Sequence, residues 1–137
     1  MRRPIDQHTA LIFTMVLLSA AEGEMTDAEL EAIGRQVRYL PVFKGFDSER
    51  LTGVGRECAE LLRHEDGLAL AVEMIAEALP APLRETAYAL ACDVAAADGT
   101  LADEELNLLR LLRQELSIDR LVAVAIERAT YARHAVL

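Results

Sequence analysis

The chain has 137 residues, a length that fits a single domain. Its net charge of −9 at pH 7 argues against nonspecific nucleic-acid binding, which needs a basic surface, and against docking on an anionic membrane. Apolar residues make up 53% of the sequence, but aromatic residues are scarce and tryptophan is absent, so aliphatic side chains must fill the core.

Apolar residues recur at helical spacing along the whole chain, and strand patterns are weak. We predict helices at about residues 5–21, 26–40, 48–64, 68–79, 83–98, 103–116 and 118–129. The first is apolar nearly all round from Leu11 to Leu18, which is typical of a central buried helix. The predicted fold is therefore all-α: a single-domain bundle of about seven helices over residues 1–137.

An internal repeat organises this bundle around two acidic turns. The segment from Ala20 to Leu30 recurs 76 residues later, from Ala96 to Leu106, with six identities over the longer alignment of residues 15–33 with 91–109. In each copy a glycine ends a helix, since glycine accepts the left-handed conformation that follows many helix ends. The repeat, covering residues 5–40 and 83–116, predicts two halves related by a pseudo-twofold axis.

Each turn carries carboxylates at the spacing of half a calcium loop. With its glycine at position six of an EF-hand loop, the first turn places Glu22 and Glu29 at positions five and twelve. The second turn places Asp98 and Glu105 there in the same way. Positions one and three are apolar in both turns, so neither is an EF-hand and one turn alone would bind a cation weakly. We predict that the two turns together hold a divalent cation, calcium ahead of magnesium or zinc.

Ordinary helix capping is the alternative explanation of the same residues. Thr26 and Glu29 form a capping box, and the helix dipole favours acids at a helix start. The second turn fits capping less well, because Ala102 lies at the position of Thr26 and has no oxygen. Asp98 also ends a helix, where the dipole opposes a negative charge.

The second turn, Ala96-Ala97-Asp98-Gly99 followed by Leu101 and Glu105, and its counterpart from Ala20 to Glu29 resemble the tellurite-resistance TerB family and the related N-terminal domain of DjlA-type co-chaperones. The resemblance implies an all-helical bacterial domain with two related halves. It also implies divalent metal at the acidic turns and a setting in stress response, including tellurite resistance. By motif matching, the acidic positions that carry over are Glu22, Glu29, Asp98 and Glu105, and Glu22 departs from the aspartate typical of its position.

No pattern in the chain predicts an enzyme, because it has neither a phosphate-binding glycine-rich loop nor a nucleophile motif. His8, His64 and His134 are scattered and lack zinc-ligand spacing, and we expect both cysteines to be reduced core thiols. A metal-free protein-interaction module, binding an unknown protein partner or forming a homodimer, is the alternative function. The apolar faces of residues 106–116 and 118–129 motivate it.

The N-terminus has some features of a secretory signal peptide, since an apolar run from residues 10 to 18 follows Arg2 and Arg3. Cleavage after Ala21 would destroy one copy of the repeat, however, and the run is too short to span a bilayer. We therefore expect a cytoplasmic protein without membrane insertion.

Overall fold

The computed structural model describes residues 3–21, 23, 25–97, 99 and 101–137. These residues form seven α-helices: α1 (Gln7–Ala20), α2 (Asp27–Tyr39), α3 (Leu51–Leu62), α4 (Gly67–Ala78), α5 (Ala81–Ala96), α6 (Asp103–Glu115) and α7 (Arg120–Arg133). Two short 3-10 turns, Pro41–Phe43 and Ser48–Arg50, separate α2 from α3. The prediction of an all-helical bundle is confirmed, whereas the pseudo-twofold relation of its halves stays a prediction.

Helix α1 lies at the centre of the fold, as its apolar sequence predicts. Every residue from Thr9 to Ser19 is buried, and the helix packs against α3, α4 and α5. Its first turn is capped by Asp6, whose carboxylate accepts a hydrogen bond from the Thr9 backbone N–H at 2.8 Å. That hydrogen bond lowers the pKa of Asp6. Inside the helix, the buried Thr14 hydroxyl donates to the Ala10 carbonyl at 2.8 Å, so its polar atom is satisfied.

Helix α5 is the second central element and packs along both α1 and α7. It begins directly after Pro80, whose backbone is extended and therefore not part of a helix. Arg84 fixes this corner, because its guanidinium donates to the Ala76 carbonyl at 2.7 Å and to the Leu79 carbonyl at 3.0 Å. Carbonyls at the end of a helix have no partner within that helix, so this contact satisfies the end of α4.

The loop after α2 packs against the start of α1 through its aromatic residues. Phe43 is buried, and the His8 ring stacks on it with centroids 5.7 Å apart. The His8 Nε2 lies 2.9 Å from the Val42 carbonyl oxygen, which ties the loop to α1. Phe46 packs edge-on against both rings, so this cluster closes one end of the core.

Helix α7 includes the predicted apolar positions and extends beyond them. Ser117, at φ +54°, follows the end of α6, and the Asp119 carboxylate accepts from the Leu121 N–H at 3.0 Å at the start of α7. The helix then continues to Arg133, past the last of those positions at residue 129. None of the helices built from the described residues is long and apolar enough to cross a membrane.

Candidate functional site

The first acidic turn connects α1 to α2 through a glycine and a complete capping box. Gly23 has φ +113°, and its N–H donates to the Ala20 carbonyl at 3.1 Å. Thr26 is extended, with φ −78° and ψ 161°, and its hydroxyl accepts from the Glu29 N–H at 3.1 Å. In return, the Glu29 Oε1 accepts from the Thr26 N–H at 2.9 Å. The predicted capping box of the first turn is confirmed.

The described residues of the second turn, between α5 and α6, include the same positive-φ glycine and extended cap position, but only half of the capping box. Gly99 has φ +82°, and its N–H donates to the Ala96 carbonyl at 3.1 Å. Ala102 is extended with φ −77° and ψ 161°, within one degree of Thr26. The Glu105 Oε1 accepts from the Ala102 N–H at 3.2 Å, but Ala102 has no side-chain oxygen to cap the helix in return.

Both glutamates are buried by this arrangement. Glu29 is 4% exposed and Glu105 is 1% exposed, and no other acidic side chain among the described residues is buried. A buried carboxylate is costly unless it is compensated, and here backbone N–H groups and the positive end of a helix dipole provide compensation. A carboxylate has two oxygens and about four lone-pair sites, with which it can accept hydrogen bonds or bind a cation.

Two of the four predicted ligands, Glu22 and Asp98, lie outside the described residues. In the part of the chain that the structure describes, no group of three or more His, Cys, Asp or Glu side chains is arranged to hold a metal. The available donors at the turns are carboxylate and backbone oxygens, which suit a hard cation such as calcium rather than zinc, whose structural sites favour nitrogen and sulfur. The cysteines are buried apart from the turns, Cys58 in α3 and Cys92 in α5.

A family model described as tellurite resistance protein TerB matches residues 8–127. The chain belongs to the TerB family. The match runs from the first turn of α1 into α7 and includes both acidic turns, so the resemblance read from the turns is confirmed. Comparison with curated proteins and with solved structures gave no match.

This TerB domain also has a cleft between α5, α6 and α7, which the sequence analysis did not predict. The α5–α7 cleft has a volume of about 240 Å³. Its apolar wall consists of Ala96, Leu101, Leu106 and Leu109. Its polar side chains come from all three helices: Tyr88, Cys92, Arg110, Arg113, Glu127, Thr130 and Tyr131. Periodicity alone could not reveal the cleft, because Glu127 comes from a helix that has no counterpart in the repeat.

A buried tyrosine and its carboxylate partner join α5 to α7 within this cleft. Tyr88 is 1% exposed, and its hydroxyl donates to the Glu127 Oε2 at 2.6 Å. Burial raises the pKa of Tyr88, and the hydrogen bond to Glu127 adds to the shift. Burial likewise raises the pKa of Cys92 to about 12, so its thiol is neutral at physiological pH and is a poor nucleophile.

Proposed function

We propose that this TerB domain is a non-enzymatic bacterial stress-response module, of the tellurite-resistance type, whose two acidic turns bind a divalent cation. Calcium is the preferred ion, because the donors are oxygens and calcium accepts six to eight of them in flexible geometry. Glu29 and Glu105 are the ligands proposed among the described residues, and Glu22 and Asp98 complete the set.

One observation carries the proposal: the only acidic side chains buried among the described residues are the two that the repeat places at position twelve. Solvated acids at a helix start need no explanation beyond the dipole. Glu105, however, is buried although Ala102 gives its helix no capping oxygen. Both turns therefore end in a buried carboxylate, and a cation bound there would compensate its negative charge.

Cation binding would act on the helix pairs that the turns connect. Each turn lies between a central helix, α1 or α5, and the helix that follows it, so a bound ion fixes how the two helices meet. A ligand that binds only the folded state at a hundredfold excess over its Kd adds about 2.7 kcal/mol of stability. The module would thus be more rigid when the cation is present.

Thermal unfolding of the chelator-treated protein, with calcium, magnesium or zinc added at millimolar concentration, tests the proposal. We expect calcium to raise the midpoint most, and the double variant Asp98→Asn with Glu105→Gln to lose most of that increase. The matched control is Asp103→Asn with Glu104→Gln, which removes the same charge from two exposed acids of the same helix turn. Equal increases in both double variants, or no increase with any ion, would reject the metal site.

A metal-free interaction module is the second candidate, and the outer face of α7 favours it. Leu121 is 79% exposed and Val124 is 44% exposed, whereas Leu108, Leu109 and Leu112 of α6 are buried. Leu106 at the start of α6 is 41% exposed, so α7 offers the larger part of the exposed apolar surface and α6 a smaller part. Sedimentation of the wild type and of Leu121→Glu would distinguish a homodimer from a monomer; a monomer in both cases removes the dimer form of this proposal.

A further inference from the structure

The α5–α7 cleft is lined by three leucines and two arginines, among other residues. We propose that it binds a small organic monocarboxylate, with the apolar body of the ligand against Leu106 and Leu109 and its carboxylate held by Arg110 and Arg113. The proposal goes beyond cation binding, since neither Glu29 nor Glu105 is among the described residues that line the cleft.

The charges of the cleft favour an anion. Arg110 and Arg113 are one turn apart on α6, so their guanidinium groups lie on the same face of that helix. Arg110 donates to the neutral Asn107 Oδ1 at 3.2 Å, and neither arginine forms an ion pair with another described residue. Glu127 is the one carboxylate among the described lining residues, so their formal charges sum to one net positive charge in a chain of −9. Arginine is well suited to bind a carboxylate through two parallel N–H donors.

The buried tyrosine and the glutamate of the cleft are already hydrogen-bonded to each other. The Tyr88 hydroxyl donates to Glu127, which reduces the repulsion that a free carboxylate at this place would exert on an anionic ligand. The neutral thiol of Cys92 adds a small apolar contact beside them. A ligand entering the cleft therefore meets apolar surface, two cations and a tyrosine–carboxylate pair that is already hydrogen-bonded.

The apolar and the polar residues of this cleft differ in how they relate to the internal repeat. The apolar wall has apolar counterparts 76 residues earlier in the sequence: Ala20, Met25, Leu30 and Ile33. The polar positions on α5 and α6 do not, since Tyr88, Cys92, Arg110 and Arg113 correspond to Ile12, Val16, Gly34 and Val37. Three of those four counterparts are buried core residues. The second copy thus keeps the hairpin and differs from the first at the positions that make the cleft polar.

The size of the cleft limits the ligand. Its volume of about 240 Å³ is below the roughly 300–1,000 Å³ of sites that take drug-sized molecules. A six-carbon fatty acid or a benzoic acid is of suitable size and supplies both an apolar body and one carboxylate. Hexanoate and benzoate are therefore the probes for the test, and hexylamine and benzylamine are their cationic controls.

Titration of the full chain, followed by backbone amide NMR shifts, tests the proposal. We expect hexanoate or benzoate to shift amides of α5, α6 and α7 around Leu106 and Tyr88, with no matching response to the amines. Arg110→Gln, a change at an exposed residue, should weaken binding about tenfold, as loss of one charged hydrogen bond predicts. Arg110→Gln together with Arg113→Gln should abolish it.

The matched control is Arg35→Gln with Arg38→Gln, which removes the same charge at the same spacing from α2. It should leave the affinity unchanged. The proposal is wrong if neither acid shifts amides of the cleft at about 10 mM, a concentration that detects even weak binding. It is equally wrong if the amines bind as well as the acids, or if the α2 variant loses as much affinity as the α6 variants.

Discussion

The described residues of the two acidic turns have similar backbone conformations, but only the first turn has a threonine cap. This difference separates the residues that shape a turn from those that stabilise it. Thr26 and Ala102 have the same backbone angles within one degree, although only Thr26 has a hydroxyl that accepts a hydrogen bond. Glycine in a left-handed conformation precedes both. The hydroxyl is therefore not needed to form the turn, and the glutamate that follows is buried with or without it.

Truncation of the buried glutamates should give the largest difference between the turns. Glu105→Ala removes the carboxylate that accepts from the Ala102 N–H, and we expect a cost of about 2 kcal/mol. Glu29→Ala should cost about 1 kcal/mol less, because the Thr26 hydroxyl still caps α2. Urea unfolding with a chelator present measures both. Equal costs would mean that the Thr26 cap does not compensate for the loss of the glutamate.

Alanine at the turn glycines should destabilise the protein by about 1–2 kcal/mol, because L residues are strained at positive φ. Apart from the chain neighbours, no atom of the described residues lies within 4 Å of an added Cβ at either glycine, so the expected cost comes from backbone strain. Gly23, at φ +113°, is farther from the left-handed minimum than Gly99, at φ +82°. Gly23→Ala should therefore lower the free energy of unfolding more than Gly99→Ala. Gly34→Ala, inside α2 with open space and a helical backbone, is the control and should be neutral or stabilising.

Alkaline pH should reveal a further difference between the copies, since Cys92 corresponds to Val16. Burial raises the pKa of Cys92 to about 12 from an ordinary value of 9.0. The unfolded chain loses this proton first, so the contribution is complete below pH 9 and is lost as pH rises from 9 toward 12. At pH 10 the loss should be about 1 kcal/mol.

Cys92→Val introduces the residue that the first copy of the repeat has at this position. It should make the free energy of unfolding less dependent on pH between 9 and 12. Burial raises the pKa of Cys58 to about 12 as well, so Cys58→Ala is the matched change in α3 and should act in the same direction. Tyr88 is unchanged in both variants, and subtraction from the wild type removes its effect. An unchanged slope of stability against pH in both variants would show that the thiols do not carry the effect.

Local patterns were sufficient to predict most of the fold. The apolar run of α1 predicts its central burial, and the Thr26 and Glu29 pair predicts the start of α2. The α5–α7 cleft could not be predicted this way, because it depends on contacts between residues far apart in the chain. Tyr88 and Glu127 are 39 residues apart, and their side-chain oxygens lie 2.6 Å from each other. Asp93 and Arg133 are 40 residues apart, and their N–O distance is also 2.6 Å. Helical spacing places these residues on a face but does not say which helix covers it.

Exchanging the two cap residues should give the smallest effect and is the most direct test of the comparison. Thr26→Ala should cost about 1 kcal/mol, and Ala102→Thr should gain up to that amount by completing the second box. The backbone at Ala102 already has the extended angles that a capping threonine needs, so the new hydroxyl can reach the Glu105 N–H without rearrangement. Chemical denaturation of both variants and of the double exchange measures the effect. If Ala102→Thr destabilises the protein, the second turn cannot accommodate the larger threonine side chain. The two turns would then differ although their cap residues have the same backbone angles.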